Sequence, residues 1–542
     1  MDQQPAQPVV TPQTPGSKNP LVIILVIMLV IIVGAGAFLF LRSQGKEEPK
    51  QKVVTGLARD SITIALPMAV KVFPDSDPEF FSNYFNNNIF DGLGRIVGGQ
   101  VKGALTTSWS NPDKNTWRFK LRKGVKFHNG DDFTAADVKF SINQALENDW
   151  PNAFNLGTIE SVTVVDDFTV DIKTTSPDPI LLNRLVYAFI VSEKQFKEKG
   201  DKPAVGTGPY ELVSLDGEKG VLAANEEYYL GMPKVKKVTY KILPDDVNDE
   251  QIVELFNKGE IDVVRLADKE TAKSIQGDYQ IKSLADPFIT FLWLDTARDK
   301  SPYVDKTPNP LKNKLVRQAI YKTINVNNPI KQASLSAIPA SQLVTNAIFG
   351  YNPAITRPEQ NIEEAKKLMI QAGVGDGFSL TLDISSGETQ EKEGNAIAEE
   401  LKKINIKVKL TEVSDEQVFD KLIIEKDTSA FVIDYGAETF DSGEIFTVLL
   451  RTQEDPKGTD NITNYSNPEI DKLADEISTT FDPINRQKKL QGAMVKAMEE
   501  VPMLPLYNRE VFYIVRDNFD WTPSAFGAIY GAEVSGRQVV TE

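Results

Sequence analysis

From about Thr55 to its C-terminus the chain is predicted to have an α/β fold, on two observations. Short alternating strands and amphipathic helices interleave along the whole length, and the helices carry start and stop signals of their own. Ser61-Ile62-Thr63-Ile64-Ala65-Leu66 alternates as a strand does. Thr134 stands at a helix N-cap with Asp137 in the capping-box position, and Val138, Ile142 and Ala145 mark one face of the helix that follows. Gln251 to Lys258 reads as a helix halted by Gly259, which hands over to the apolar strand Ile261-Asp262-Val263-Val264. A similar unit starts at Asn361. Glu363 and Glu364 favour its positive end, Ile362, Ala365, Leu368 and Ala372 form its buried stripe, and Gly373 ends it. Asn395 to Ile404 repeats the pattern and leads into the strand Ile406-Lys407-Val408-Lys409-Leu410. No repeat of fixed 20–50-residue period runs through the chain, which argues against a solenoid.

Composition bounds the function. With 542 residues the chain can build two or more cores, and 41% hydrophobic against 25% charged residues is ordinary for a folded domain. Sixty basic against 76 acidic residues give a formal charge of −16, so no broad positive field draws nucleic acid. The absence of cysteine excludes disulfides, thiolate metal sites, thiol nucleophiles and a lipid-bearing cysteine.

The N-terminus is built differently. Residues 1–20, rich in Pro, Gln and Thr, read as a disordered tail. Leu21 to Leu41 is an uncharged apolar run, and about twenty helical residues span a hydrocarbon core of roughly 30 Å. It is longer than a signal-peptide core of about 7–15 residues, so a single transmembrane helix is expected there. The alternative is a cleaved signal using the small residues Gly34-Ala35-Gly36-Ala37. Residues 42–54 form a polar linker. Arg42, Lys46, Lys50 and Lys52 follow the span while only Lys18 precedes it, so the positive-inside rule alone would keep the bulk of the chain in the cytoplasm. Large domains translocate largely regardless of such charges.

Catalytic patterns are missing. The single histidine, His128, lies in the turn Phe127-His128-Asn129-Gly130 with no second histidine to share a metal. Gly92-Leu93-Gly94-Arg95-Ile96-Val97 lacks the third glycine of a dinucleotide loop, and neither a phosphate loop nor a G-x-S-x-G elbow occurs. Asp75-Ser76-Asp77-Pro78 has Phe80 where a calcium loop needs glycine. The acidic pairs Asp166-Asp167 and Asp245-Asp246 read as turns and solvated surface. No metal, cofactor or enzymatic activity is expected.

From Asp77 onward a series of blocks occurs in a fixed order. Ile89-Phe90-Asp91-Gly92-Leu93 and Ala104 to Trp109 precede the longest, Thr116 to Ser141 (TWRFKLRKGVKFHNGDDFTAADVKFS). Gly206-Thr207-Gly208-Pro209-Tyr210, Asn225 to Val235, Val316 to Ile320, Tyr465 to Asp471 and Pro502 to Tyr507 follow. Together they resemble the bacterial extracellular solute-binding proteins of the oligopeptide, dipeptide and nickel group, almost to the chain's end. The resemblance implies a periplasmic-binding-protein-like type II fold: two lobes joined by crossing segments, with a subdomain inserted in lobe one. It places lobe one at 55–95, 201–287 and 502–542, the subdomain at 96–200 and lobe two at 288–501. It further implies a receptor on the extracytoplasmic side of the cell membrane, held there by the N-terminal helix. A monomer is expected, which takes a peptide by hinge closure and delivers it to an ABC permease. Alternatives are the same fold holding a non-peptide solute, or a tethered sensor serving a signalling partner.

The family's peptide binders carry a W-x-A-D-x-x-D-P-like stretch whose first acid meets the peptide's amino group. Here Tyr435-Gly436-Ala437-Glu438-Thr439-Phe440-Asp441-Ser442 resembles it. The resemblance puts Glu438 on the ammonium-binding acid and Asp441 on the second acid, with Tyr435, Gly436 and Ala437 beside them. Tyr435 replaces tryptophan and Ser442 replaces proline. Trp293 is a further aromatic near the crossing, or a core residue.

Overall fold

In the computed structural model Ser61–Leu66 is strand β1, with Ile62 and Ile64 buried as the alternation requires. The structure describes residues 53–54, 59–537 apart from 67, 69, 75–79, 98–99, 149, 151–152, 201–204, 245–246, 267–268, 455–456 and 524–528, and 540–541. Residues 57–537 make one unit, and 1–56 with 538–542 make another. In the latter, Val53–Val54 pairs antiparallel with Val540–Thr541. The expected tail and membrane helix, and the linker up to residue 52, lie outside the described residues. Among the described residues no helix is long and apolar enough to cross a membrane.

Strands Thr106–Asp113 (β2) and Thr116–Leu121 (β3), helix Ala135–Glu147 (α1), and strands Ile159–Asp166 (β4) and Thr169–Thr174 (β5) build a four-stranded sheet, order β2-β3-β5-β4, with α1 packed on it. The capping box forms: Thr134 accepts from the Ala136 amide, and Asp137 accepts from the Thr134 amide at 2.8 Å. Next come Tyr210–Leu215 (β6), Lys219–Ala224 (β7), Lys237–Ile242 (β8), helix Asp249–Asn257 (α2), Val263–Leu266 (β9) and Tyr279–Ala285 (β10). Strand β1 lies between β8 and β9 and runs parallel to both.

Ile289–Leu294 (β11) is buried at all six positions, the mark of a strand covered on both faces. Helices Lys314–Thr323 (α3) and Ile362–Gln371 (α4), strand Phe378–Ser385 (β12), helix Glu388–Lys402 (α5), strands Ile406–Val413 (β13) and Ala430–Tyr435 (β14), and helices Pro468–Ile477 (α6) and Pro483–Glu500 (α7) follow. One face of β11 and β14 packs Phe291, Trp293 and Phe431 against Ile470, Leu490 and Met494. The other packs Leu292 and Leu294 against Ile320, Ile397 and Leu504. Each such large side chain contributes about 1.5–3 kcal/mol by leaving water.

Met503–Arg516 (β15) joins the two halves, giving the path β13-β12-β14-β11-β15-β9-β1-β8-β7-β6. Its residues up to Tyr507 pair with β11, and Arg509 pairs with Ala337. From Glu510 on it pairs with β10 and β9 instead. The chain thus stays with the second half beyond Pro502, where the return to lobe one was expected. Asp286 to Phe288 is the other link, and the Asp286 amide donates to the Arg509 carbonyl at 2.7 Å.

Helix α5 begins at Glu388, before the expected Asn395, and Gly394 lies within it. A Cβ there would lie 3.1 Å from both Ile384 and Leu410, so glycine lets the helix sit close on its sheet.

Candidate functional site

Strand β14 ends at Tyr435, and residues 436–442 continue as a loop. The Tyr435 hydroxyl donates to Asp460 at 3.0 Å. Its ring lies 6.3 Å from that of Trp293, which is 2% exposed and belongs to the core. Gly436 permits a close approach to the link between the halves, since a Cβ would stand 3.0 Å from Phe288 and 3.2 Å from the Pro287 carbonyl. Ala437 is fully buried, so its side chain is core and only its backbone is left for a ligand.

Glu438 is exposed by surface area, and its side chain has no hydrogen-bond donor among the described residues. Desolvation nevertheless raises its carboxyl above the usual carboxylate range, with Glu444 and Asp460 adding repulsion. Glu444, half-buried and raised by desolvation, accepts from the Thr439 amide and hydroxyl at 2.9 and 2.6 Å.

The first half faces this loop. Asn183, in the short helix Leu181–Arg184, donates its side-chain amide to the Thr439 carbonyl at 2.6 Å. The Arg184 charge draws Glu444 down, and Glu438 helps burial push the Tyr187 phenol up. Phe481, between α6 and α7, packs 5.9 Å from Trp117 of β3. The loop therefore lies where the two halves meet.

Asp441 departs from the expectation of a second ligand acid. It is 3% exposed, and Arg486 of α7 grips both its oxygens at 2.8 and 2.7 Å. The Gly443 amide adds a third bond at 2.7 Å. With both oxygens engaged and its side chain buried, Asp441 holds the loop. Ser442 is pinned beside it, its amide donating to the Phe349 carbonyl at 2.9 Å.

Of the five residues expected at the site, Tyr435 and Glu438 thus face Glu444 and Asp460 as one acidic group, while Asp441 points into the protein. Glu444 lies six residues past Glu438 and was open to reading as part of the same stretch. Asn183, Arg184 and Tyr187 stand some 250 residues upstream with no motif to flag them. Among the described residues no group of three His, Asp or Glu side chains is arranged to hold a metal. The chain's one histidine is placed elsewhere, with its Nε2 3.0 Å from the Gly208 carbonyl.

The model of bacterial extracellular solute-binding proteins, family 5 (middle region), matches residues 100–457, about two thirds of the sequence. The chain belongs to this family. A glutathione-binding protein, GsiB, of Pectobacterium atrosepticum is 29% identical over 414 residues, covering 72% of this chain and 77% of that protein. HbpA2 from Haemophilus parasuis superimposes with a TM-score of 0.75 at 20% identity, covering 88% of this chain and all of that one. The periplasmic binding protein DppA from Helicobacter pylori, in complex with the peptide STSA, gives 0.67 at 22% identity, covering 88% and 98%. These structures share the α/β periplasmic-binding-protein-like fold. The family's members are solute-binding proteins of ABC importers, not enzymes.

Proposed function

We propose that this solute-binding protein captures a peptide with a free amino terminus between its two halves and delivers it to an ABC permease by hinge closure. The observation that carries the reading is Glu438. It is a carboxylate without a donor of its own, on the loop where the halves meet, and repelled by Glu444 and Asp460. A peptide ammonium relieves that repulsion and makes a charge-assisted hydrogen bond worth about 1.5–3 kcal/mol. Asn183 and Tyr187 on the opposite side make closure depend on both halves, so a guest touching both favours the closed form. The reading takes 55–95, 201–287 and the C-terminal segment for lobe one, the return falling at Glu510, where β15 leaves β11 for β10 and β9, rather than at 502, with 96–200 as its subdomain and lobe two from 288 up to that return. The apolar run Leu21 to Leu41 supplies a single-pass anchor that keeps a monomeric binding domain outside the cell, near its permease.

Titration calorimetry with paired peptides tests this. N-acetylation, or Glu438→Gln, is expected to weaken binding by about 10- to 150-fold, which is the same energy read as affinity. Equal binding of acetylated and free peptides would show that Glu438 is not the amine site.

A further inference from the structure

A cavity lies beside β14 in the second half of the sheet. It has a volume of about 240 Å³ at the C-terminal ends of the parallel strands β12 and β14, and its lining includes Thr290, Ser385, Gln390, Glu393, Asp434 and Arg509. Ligands of open α/β sheets are bound beyond such strand ends. Arg509 is the residue whose carbonyl accepts from the Asp286 amide, so the cavity adjoins the links between the halves.

Its polar groups are paired in an incomplete way. One Glu393 oxygen accepts from the Tyr507 hydroxyl, and the other lies 3.8 Å from Arg509 Nη2. One Asp434 oxygen accepts from Thr290 Oγ1 at 2.5 Å, and the other lies 3.8 Å from Arg509 Nε. Both gaps exceed hydrogen-bond distance. Arg509 Nε is buried with no acceptor, and its guanidinium makes no side-chain hydrogen bond among the described residues. A donor and two free acceptors thus stand around an opening, each too far apart to satisfy the other.

The group that fits between them must accept from the guanidinium and donate to a carboxylate at once. A carboxylate meets Arg509 but is repelled by Asp434 and Glu393. An ammonium meets the acids but is repelled by Arg509. An apolar chain leaves all three unsatisfied. A carboxamide does both tasks without added charge: its oxygen accepts from Arg509 and its NH2 donates to the open carboxylate oxygens. We infer that this cavity is a specificity subsite for a carboxamide side chain, a glutamine or asparagine of the bound peptide. The inference rests on the peptide reading above and adds to it a preference at one position of the guest.

The test is a set of free-amino alanine tripeptides in which each position in turn is Gln, Glu, Lys or Leu, titrated into the purified protein. At one position Gln is expected to bind at least tenfold more tightly than the other three, a difference of about 1.4 kcal/mol. Arg509→Lys, which removes the Nε donor, and Glu393→Gln, which removes an acceptor, are each expected to bring the Gln/Leu ratio within twofold of one. Peptides that bind with a flat preference would mean that water alone fills the cavity, and would overturn this inference while leaving the peptide reading intact. A maximum at Glu or Lys would overturn it equally. If no tripeptide binds in any form, both readings fall together.

Discussion

Two buried or half-enclosed carboxylates, one in each half of the molecule, have opposite relations to their surroundings. Asp91, 7% exposed in the first half, accepts from Thr207 at 3.0 Å and Tyr228 at 3.3 Å. It is a hub where distant segments meet. The Gly208 amide donates to the Ile89 carbonyl at 2.9 Å, and the Asn225 side chain donates to the Gly208 carbonyl at 3.1 Å. A Cβ on Gly206 would lie 2.0 Å from the Ile89 oxygen, so only glycine allows that approach. Glu438 in the second half has a carboxylate with no such partner. Burial raises both groups, yet one is spent on architecture and the other is open. A polar group satisfied from within reports the fold, and one left without a partner is free to meet a ligand. Asp441 shows that the rule divides even neighbours in one stretch.

The comparison breaks most sharply at Asp441. Asp441→Ala strands the Arg486 guanidinium inside the protein, and losing one member of a buried pair costs about 3–5 kcal/mol. Glu438→Gln removes a repelled, half-solvated charge and is expected to change stability by less than about 0.5 kcal/mol. Urea denaturation of the two variants measures this directly. Equal losses would mean that Glu438 also is part of the scaffold.

A smaller effect follows from Asp91. Burial is the largest influence on its carboxyl and raises it from 3.8 to about 6, against the pull of the Thr207 hydroxyl. The folded state therefore holds this proton more tightly than the unfolded chain does. The resulting stabilisation is full below about pH 4 and is lost as pH rises through 6, a swing of up to about 3 kcal/mol. Asp91→Asn cannot titrate, so its melting temperature is expected to fall less than that of the parent between pH 4 and 6. Parallel pH profiles for the two proteins would remove Asp91 from the account.

Local signals were the legible part of this molecule. The Thr134–Asp137 capping box, the Asn361 cap and the Gly259 and Gly373 stops act over four or five residues, and the structure places them as the sequence predicts. Gly394 serves a contact with β12 and β13, far off in the chain, which leaves no local trace. The same holds for the site. The motif gave Glu438 and Asp441 the same standing. Only Arg486, 45 residues later, shows that Asp441 is occupied. The residues facing the loop from the first half, and the mismatch around Arg509, are matters of geometry between distant segments and leave no local trace.

The smallest expected effect probes the contact between the halves rather than either carboxylate. Phe481 and Trp117 belong to opposite halves, and such aromatic pairs add about 0.5–1.5 kcal/mol beyond their burial. If they touch only when the halves close, that energy belongs to the closed form alone. Phe481→Ala then lowers the population able to hold a ligand, and apparent affinity falls by the same factor, about 2- to 10-fold. The loss is expected to be equal for every peptide, because neither ring need touch the guest. Glu438→Gln, by contrast, is expected to penalise free-amino peptides more than acetylated ones. Calorimetry across both variants and both peptide forms separates the closing contact from the binding contact, and a Phe481→Ala loss confined to one peptide would place that ring in the binding site instead.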